Sequence, residues 1–250
     1  MNNNLRIFPT PFELSEAFAL ELTGLIGESV KRKEKYTIAL SGGNTPQLLF
    51  SVLAEKYTDS VDWKSVHFFW VDERCVSPDD PESNFGTARR LFLDRIGIPD
   101  SCIHRIRGEE DPGKEAVRYS NEILKLTGSA DNLPVFDQIV LGMGDDGHTA
   151  SIFPGNNELF QSLKICDVAT HPVTGQKRVT ITGSVINNAD HITFLVTGQN
   201  KSGIIDDIFN KPNSADKYPA AHVVPLHGKL NWLFDEKAGS SLLKRERLKT

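Results

Sequence analysis

The sequence contains few cysteines and no long apolar run, and both shortages exclude classes of protein. Its three cysteines, Cys75, Cys102 and Cys166, form no Cys-x-x-Cys pair. This pattern argues against a disulfide framework and against a zinc site built on paired thiolates, so we expect no metal. The apolar runs are short, such as Val66–Val71, whereas a membrane helix needs ~20 residues.

The first residues also lack the apolar core of a signal peptide, because Met1–Arg6 is mostly polar. We therefore expect a cytoplasmic protein without a membrane partner. An excess of positive charge is missing too, since the formal net charge is -5. A broad basic face for nucleic acid is not expected from this balance, although a local phosphate site remains compatible with it.

Linkers, internal repeats and low-complexity tracts are not found in the sequence either. We therefore expect a single domain over residues 1–250, and a monomer with a homodimer as the alternative.

What the sequence does contain is an alternation of strand-like and helix-like segments. The predicted strands are Tyr36–Ser41, Val66–Val71, Phe136–Leu141, Val179–Thr182 and Ile192–Val196. The predicted helices are Phe12–Val30, Pro46–Tyr57 with Thr45 as N-cap, Ser83–Ile96 and Gln199–Phe209. This order predicts an α/β fold with a mainly parallel sheet covered by helices.

Polar and glycine-rich clusters follow three of these strands, at Ser41–Thr45, Asp72–Arg74 and Gly142–His148. In open α/β sheets, ligands bind outside the carboxyl ends of the strands. We therefore expect the three clusters to converge on one crevice.

The first cluster, Ser41-Gly42-Gly43-Asn44-Thr45, joins a strand to a helix start. Backbone N–H groups and the positive end of the helix would meet there, which suits a phosphate. A plain tight turn explains the two glycines equally well, because lone glycine motifs are weak signals.

The second cluster places Asp72, Glu73 and Arg74 at the end of a buried strand. The planar guanidinium of Arg74 suits a carboxylate, a phosphate or a developing oxyanion. The alternative is an internal ion pair of Arg74 with a neighbouring acid. Both hold together if Asp72 or Glu73 orients Arg74.

The third cluster exposes Asp146 and His148 on a glycine-rich loop. A neutral imidazole is the usual general base near pH 7, and a nearby carboxylate can fix its tautomer. A metal site from Asp145, Asp146 and His148 is disfavoured, since no second ligand cluster occurs. A nucleophile is also disfavoured, because Ser151 lacks an elbow motif and Cys75 is more simply a packed thiol.

Together these segments resemble the 6-phosphogluconolactonases over nearly the whole chain. The resemblance is carried by Ser41–Pro46, Asp72–Arg74 with Ser83-Asn84, Gly142–Gly155, Arg178–Thr182 and Gly198–Lys201. It implies a Rossmann-like fold and hydrolysis of 6-phosphoglucono-δ-lactone in the oxidative pentose phosphate pathway, without a cofactor. The implied phosphate ligands are Ser41, Gly42, Gly43, Arg178 and Lys201. Singly, Arg178 and Lys201 would be taken for surface charges.

The resemblance further implies that His148 is the base and that Arg74 binds substrate or stabilises charge. We expect Asp146, on the same loop, to support either His148 or the loop itself. Asn44 and Thr45 belong to the implied phosphate loop, and Asp72 is a further candidate for substrate binding.

Three alternatives remain open. Glucosamine-6-phosphate deaminases share Asp72 and Asp146–His148, but carry a Glu at the position of Phe153 and a Tyr at that of Arg74. A sugar-phosphate sensor would need a DNA-binding domain, for which we find no segment. A nucleotide binder is disfavoured by the missing Gly-x-Gly-x-x-Gly.

Overall fold

Parallel strands form the centre of the structure, a computed structural model that describes residues 4–32, 34–130 and 133–247. The strands are β1 (Asn4–Phe8), β2 (Tyr36–Leu40), β3 (Val66–Trp70), β4 (Asp72–Arg74), β5 (Ile103–His104), β6 (Gly128–Ala130), β7 (Leu133–Val135), β8 (Gln138–Leu141), β9 (Cys166–Thr170), β10 (Lys177–Ile181), β11 (His191–Val196) and β12 (Lys229–Asp235). Seven of them form one sheet in the order β1-β12-β11-β8-β2-β3-β5. Every pairing in this sheet is parallel.

Helices lie between the strands along the chain. They are α1 (Pro11–Lys31), α2 (Asn44–Lys56), α3 (Asn84–Ala88), α4 (Asp94–Ile96), α5 (Pro112–Leu126), α6 (Glu158–Gln161), α7 (Gly183–Asn187), α8 (Ser202–Asn210), α9 (Pro212–Ala215) and α10 (Ser240–Arg247). A π-helical turn, Arg89–Leu93, joins α3 to α4, and 3₁₀ turns occur at Trp63–Ser65, Asp100–Cys102, Gln199–Lys201 and Pro219–His222. In the described ranges, none of the helices is long and apolar enough to cross a membrane.

The predicted fold class is confirmed, and the strand interiors show why. All residues of β2 and β3 are buried, as expected for parallel strands covered on both faces. On β11 and β12, the rings of Phe194 and Trp232 stack with centroids 3.8 Å apart. The single-domain organisation stays a prediction.

The start of α2 was predicted two residues too late. The helix begins at Asn44, and Gly43 takes the N-cap position with φ of 98°. Thr45 is therefore inside the first turn, and Pro46 is not the first helical residue. A glycine accommodates this left-handed conformation, which the sequence pattern alone did not reveal.

The order of the strands positions the site. From β2 the chain proceeds outward to β3 and β5, whereas from β8 it proceeds to β11 and β12 on the other side. The neighbours β2 and β8 thus mark the point where the winding reverses. In open α/β sheets this switch point opens a crevice at the carboxyl ends of the strands.

A smaller antiparallel sheet, β4-β10-β9, borders this crevice. Its register places Arg178 of β10 opposite Arg74 of β4. Two cations that are distant in sequence are thereby brought to one end of the molecule.

Two buried histidines link β3 and β5 away from this crevice. Nδ1 of His67 lies 2.8 Å from Nε2 of His104, whose Nδ1 lies 3.0 Å from a carboxylate oxygen of Glu122 on α5. Burial lowers the pKa of His67 to about 4, and the neighbouring His104 and Lys35 act in the same direction.

Acid should therefore destabilise the fold through His67. The pKa of this group is about 4 in the folded protein, below the ordinary value of 6.5 for a histidine in water, so the unfolded chain binds more protons between these values. The neutral imidazole contributes fully to the stability of the fold above pH 6.5. This contribution is lost as the pH falls from 6.5 towards about 4. The free energy of unfolding, measured with urea at neutral and at mildly acidic pH, should fall less on acidification in His67→Asn than in the native protein. The amide of the asparagine does not titrate. An equal loss in both proteins would contradict this assignment.

Candidate active site

A cavity of about 540 Å³ lies at the carboxyl ends of β2 and β8. All but one of the predicted site residues line it, namely Ser41, Gly42, Gly43, Asn44, Thr45, Asp72, Arg74, His148, Arg178 and Lys201. The remaining one, Asp146, contacts His148. The structure thus brings the three polar clusters to one place, together with both distant cations.

The loop after β2 is shaped by close packing. A Cβ atom at Gly42 would lie 1.7 Å from Oδ1 of Asn84, so any larger residue would displace that amide. At the next position Gly43 caps α2 without a side chain, and the first backbone N–H groups of a helix have no intrahelical partner. These groups suit an incoming anion.

The hydroxyl groups of this loop are already engaged. Ser41 donates from Oγ to the carbonyl of Val140 at 2.8 Å, which joins the loop to β8. Thr45 shares a hydrogen bond of 2.8 Å with Thr197 at the end of β11. Ser41 therefore offers a ligand its backbone or an oxygen lone pair, while its hydroxyl proton supports the loop.

Glu73 has a structural role. Its buried carboxylate accepts from the backbone N–H groups of Arg74, Asn84 and Phe85 and from the hydroxyl of Ser83. Burial raises the pKa of Glu73, and these hydrogen bonds partly offset the rise. The side chain thus holds the first turn of α3 against β4.

Of the two interpretations left open for Arg74, the internal ion pair with Asp72 or Glu73 is not found among the described residues. Nη1 of Arg74 donates to the backbone carbonyl of Glu82, and Glu73 accepts only its backbone N–H. Nε of Arg74 is buried and, within the described residues, has no hydrogen-bond partner. The guanidinium is therefore held from one side, and its buried Nε is an unused donor.

Asp72, one of the two acids considered as a partner of Arg74, lies beside Arg178 instead. Oδ2 of Asp72 is 3.8 Å from Nη1 of Arg178 and accepts a hydrogen bond of 2.6 Å from the buried hydroxyl of Ser151. The antiparallel register accounts for this contact, because Asp72 lies opposite Thr180 on β10, two residues from Arg178 and therefore on the same face of the sheet. Ser151 is thus a buried hydrogen-bond donor to Asp72.

Arg178 is incompletely neutralised. Burial lowers the pKa of its guanidinium, and the Asp72 carboxylate offsets only part of this effect. Its Nε is buried without a partner in the described part of the chain, and its other face covers the ring of Phe153 at 5.5 Å. A buried cation with unused donors favours binding of an anion.

His148 and Asp146 form a dyad. Nδ1 of the imidazole lies 2.6 Å from Oδ1 of Asp146, which also accepts the backbone N–H of His148 at 3.0 Å. Burial by itself raises the pKa of Asp146, but the hydrogen bonds from His148 outweigh it and lower the pKa to about 2. The carboxylate is thus ionised near neutrality and favours the tautomer with hydrogen on Nδ1.

The other ring nitrogen, Nε2, is left with its lone pair. Among the residues that the structure describes, it has no hydrogen-bond partner. The ring itself is fixed by packing, because Phe153 lies against it with centroids 4.8 Å apart. A Cβ at Gly144 would lie 2.1 Å from Nδ1. A positioned imidazole with a free nitrogen at a cavity can serve as a general base.

Lys201 lies deep in the cavity wall but is not free. Its side chain is 13% exposed and its ammonium pairs with Oδ1 of Asp145. The same oxygen accepts from Nδ2 of Asn200 at 2.7 Å. Lys201 was expected to be an available phosphate ligand, and this carboxylate partner was not foreseen from the sequence.

Other cavity residues were missed or undervalued. Asn84 donates to the backbone carbonyl of Asp72 at 3.0 Å, and Thr197 and Asn200 line the cavity after β11. The signal that could have revealed Thr197 and Asn200 is their place just after a predicted strand. Asn84 could not be placed from spacing, since it reaches the cavity from the start of α3.

Two other chemistries find little support. Burial and the nearby Glu73 raise the pKa of Cys75, so its thiol is not activated. Over residues 4–32, 34–130 and 133–247, no three His, Cys, Asp or Glu side chains are grouped to hold a metal ion. The arrangement instead combines one imidazole with three cations around a polar cavity, which could support proton transfer on an anionic substrate.

Comparison with known proteins gives a family match over most of the chain. Residues 9–232 match the family described as glucosamine-6-phosphate isomerases/6-phosphogluconolactonase. A 6-phosphogluconolactonase from Aggregatibacter actinomycetemcomitans is 43% identical, covering 82% of this chain and 87% of the relative. One from Treponema pallidum is 40% identical, covering 91% and 90%.

Solved structures give the same result. The 6-phosphogluconolactonase from Trypanosoma brucei superimposes with a TM-score of 0.85 at 28% sequence identity. The match covers 96% of this chain and 99% of that one. The likeness therefore includes the helices and loops around the cavity as well as the central sheet.

Proposed function

The chain belongs to the glucosamine-6-phosphate isomerase/6-phosphogluconolactonase family, and on this premise we propose that it hydrolyses 6-phosphoglucono-δ-lactone to 6-phosphogluconate. This reaction is a step of the oxidative pentose phosphate pathway. The observation that carries the proposal is the His148–Asp146 dyad, whose free Nε2 stands at a cavity that also holds Arg74, Arg178 and Lys201.

The phosphate of the substrate would anchor the molecule. A phosphate monoester carries a charge of about −1.5 to −2, whereas the N-terminus of α2 supplies only about half a positive charge. Arg178 and Lys201 add two cations at the same cavity. Binding energy from this distal group can then position the lactone carbonyl for reaction.

The dyad would activate water. Nε2 of His148 takes a proton from a water molecule, and the resulting hydroxide attacks the carbonyl carbon of the lactone. The ionised Asp146, held at Nδ1, stabilises the imidazolium that forms. Asp146 acts through His148 and is thus a positioning residue.

Arg74 would stabilise the tetrahedral oxyanion. Arg74 lines the cavity, and within the described residues its side chain makes one hydrogen bond, from Nη1 to the carbonyl of Glu82. This leaves other guanidinium donors for the negative charge that develops on the carbonyl oxygen. When the intermediate collapses, the bond from the carbonyl carbon to the ring oxygen breaks. The proton on His148 passes to that oxygen, and the new carboxylic acid releases a proton to solvent.

The packing of Phe153 favours lactone hydrolysis over deamination. The glucosamine-6-phosphate deaminases that resemble this chain carry a Glu at this position, which assists the histidine in opening the sugar ring. Here an apolar ring lies 4.8 Å from the His148 ring, centroid to centroid. The cytoplasmic location stays a prediction. So do the monomeric state, with a homodimer as the alternative, and the absence of a cofactor or metal.

The proposal is tested by acid release from freshly prepared 6-phosphoglucono-δ-lactone, measured against its spontaneous hydrolysis. Ammonia release from glucosamine 6-phosphate is measured in parallel with the same protein. Acid release above the background without ammonia release is expected. Ammonia release without lactonase activity would favour the deaminase instead.

Removing one of the cations proposed to bind the phosphate should selectively weaken binding of the phosphorylated lactone. We expect Arg178→Ala and Lys201→Ala each to lower kcat/KM by about 5- to 150-fold, because a lost charge-assisted hydrogen bond costs about 1–3 kcal/mol. Unphosphorylated gluconolactone should be a poor substrate of the native enzyme, and its rate should change little in either variant.

The measurement is kcat/KM for both lactones with all three proteins. Lys229→Ala is a matched control, since Lys229 is an exposed lysine at the start of β12, far from its carboxyl end. An equal loss on both lactones would show that Arg178 or Lys201 maintains the catalytic centre, and the phosphate site would have to lie elsewhere.

A further inference from the structure

We infer that Asp145 competes with the substrate's phosphate for Lys201 and so sets the affinity of the enzyme for phosphorylated ligands. This inference rests on the proposed function, because it takes Lys201 as a phosphate ligand. It assigns a specificity-determining role to a carboxylate that no step of the mechanism uses.

The contact with Asp145 engages the ammonium of Lys201, which is the cation proposed to bind the phosphate. The ammonium of Lys201 donates to Oδ1 of Asp145, and Asn200 donates to the same oxygen at 2.7 Å. Asn200 and Lys201 both line the cavity, as Asp145 does. One carboxylate oxygen therefore gathers two donors that face the space where an anion would bind.

The two partners of this ion pair differ in exposure. The side chain of Lys201 is 13% exposed, whereas that of Asp145 is 71% exposed. The lysine is thus held by its surroundings, while the aspartate reaches in from the solvent side. Of the two, Asp145 can withdraw into water at little cost when another anion arrives.

Asp145 carries its charge when it makes this contact. The hydrogen bond from Lys201 lowers the pKa of Asp145, with a smaller opposing effect of burial and further lowering by the charge of Lys201 and by Asn200. An arriving phosphate then either displaces the carboxylate or lies beside it. In the first case a contact is lost, and in the second two anions repel each other. Both cases weaken phosphate binding.

The charge of the product suggests how this competition affects the reaction. Hydrolysis converts a neutral lactone into a carboxylate, so 6-phosphogluconate leaves with one more negative charge than the substrate brought. A cavity with three cations would retain such a product. A carboxylate that re-forms its pair with Lys201 favours release, since it replaces the phosphate as the partner of the buried ammonium.

The test is a calorimetric titration of the protein with inorganic phosphate at low ionic strength. Asp145→Asn keeps the shape and the acceptor oxygen but removes the charge. We expect this variant to bind phosphate about two- to fivefold more tightly than the native protein, the range for a partly exposed ion pair. Asp59→Asn is the matched control, because Asp59 is an exposed acid beyond the C-terminal end of α2, whose N-terminal end faces the cavity.

The same titration in the Lys201→Ala background identifies the cause. If Asp145 acts by occupying Lys201, adding Asp145→Asn to Lys201→Ala should leave phosphate affinity unchanged. An equal gain with and without Lys201 would overturn the competition, because it would show general repulsion. Phosphate binding by Asp145→Asn no tighter than by Asp59→Asn would overturn it as well.

These outcomes are separable from the proposed function. A native protein without lactonase activity, whose Asp145→Asn variant still binds phosphate more tightly, would refute the proposed reaction and support the role of Asp145. With lactonase activity present, Asp145→Asn should lower KM for the phosphorylated lactone and leave KM for gluconolactone unchanged. Equal changes of KM for both lactones would overturn the inference.

Discussion

Replacing His148 with alanine should lower kcat by about 100- to 10,000-fold, the usual contribution of a general base. The imidazole is the group in the dyad whose free nitrogen faces the cavity, while Asp146 is committed to Nδ1. Binding of 6-phosphogluconate should be nearly unchanged, because the proposed phosphate ligands are left in place. The measurements are single-turnover acid release and product titration.

His227→Ala is a matched control for this experiment. His227 is also a partly exposed histidine beside an acid, at 3.6 Å from Asp190, but it does not belong to the cavity lining. Its removal should leave kcat near the native value. Near-native turnover in a folded His148→Ala protein would remove this residue from the mechanism.

Replacing Arg74 with lysine should lower kcat by about 100- to 1,000-fold, the range for the loss of an oxyanion donor. Lysine keeps the charge, but a point charge cannot donate to the carbonyl of Glu82 and present a second donor to the cavity in the planar geometry of arginine. Because Arg74 makes no ion pair with Asp72 or Glu73 in the described structure, thermal stability should change little.

The measurement is kcat together with the melting temperature, with Arg89→Lys as control on the π-helical turn, where Arg89 pairs with the exposed Asp94. A large fall in melting temperature with native kcat would assign Arg74 to the fold. Unchanged kinetics in a stable variant would contradict both the catalytic and the structural interpretation.

The convergence of the site could be predicted because it depends on chain direction alone. Apolar runs ending in glycine or charge identify parallel strands and their carboxyl ends, and these ends meet at one edge of a sheet. Ser41–Thr45 and Gly142–His148 could therefore be placed together without any knowledge of side-chain contacts. The roles assigned to the individual residues stay predictions.

The pairing of charges could not be predicted in the same way. Asp72 lies beside Arg178 because of the antiparallel register between β4 and β10, and a shift by one residue would have turned the arginine to the other face. Asp145 reaches Lys201 across 56 positions of sequence. Such contacts depend on the geometry of loops, for which residue spacing carries no signal.

The packing of glycines against functional side chains has a consequence for mutational drift. A methyl group at position 42 would collide with Asn84, and one at position 144 with the imidazole of His148. Even alanine, the smallest substitution that a genetic change can supply, would displace the amide of Asn84 at the first position and the imidazole of His148 at the second. In a library of random variants, substitutions at these two positions should therefore lower activity through the side chains they move, although neither glycine carries a side chain of its own.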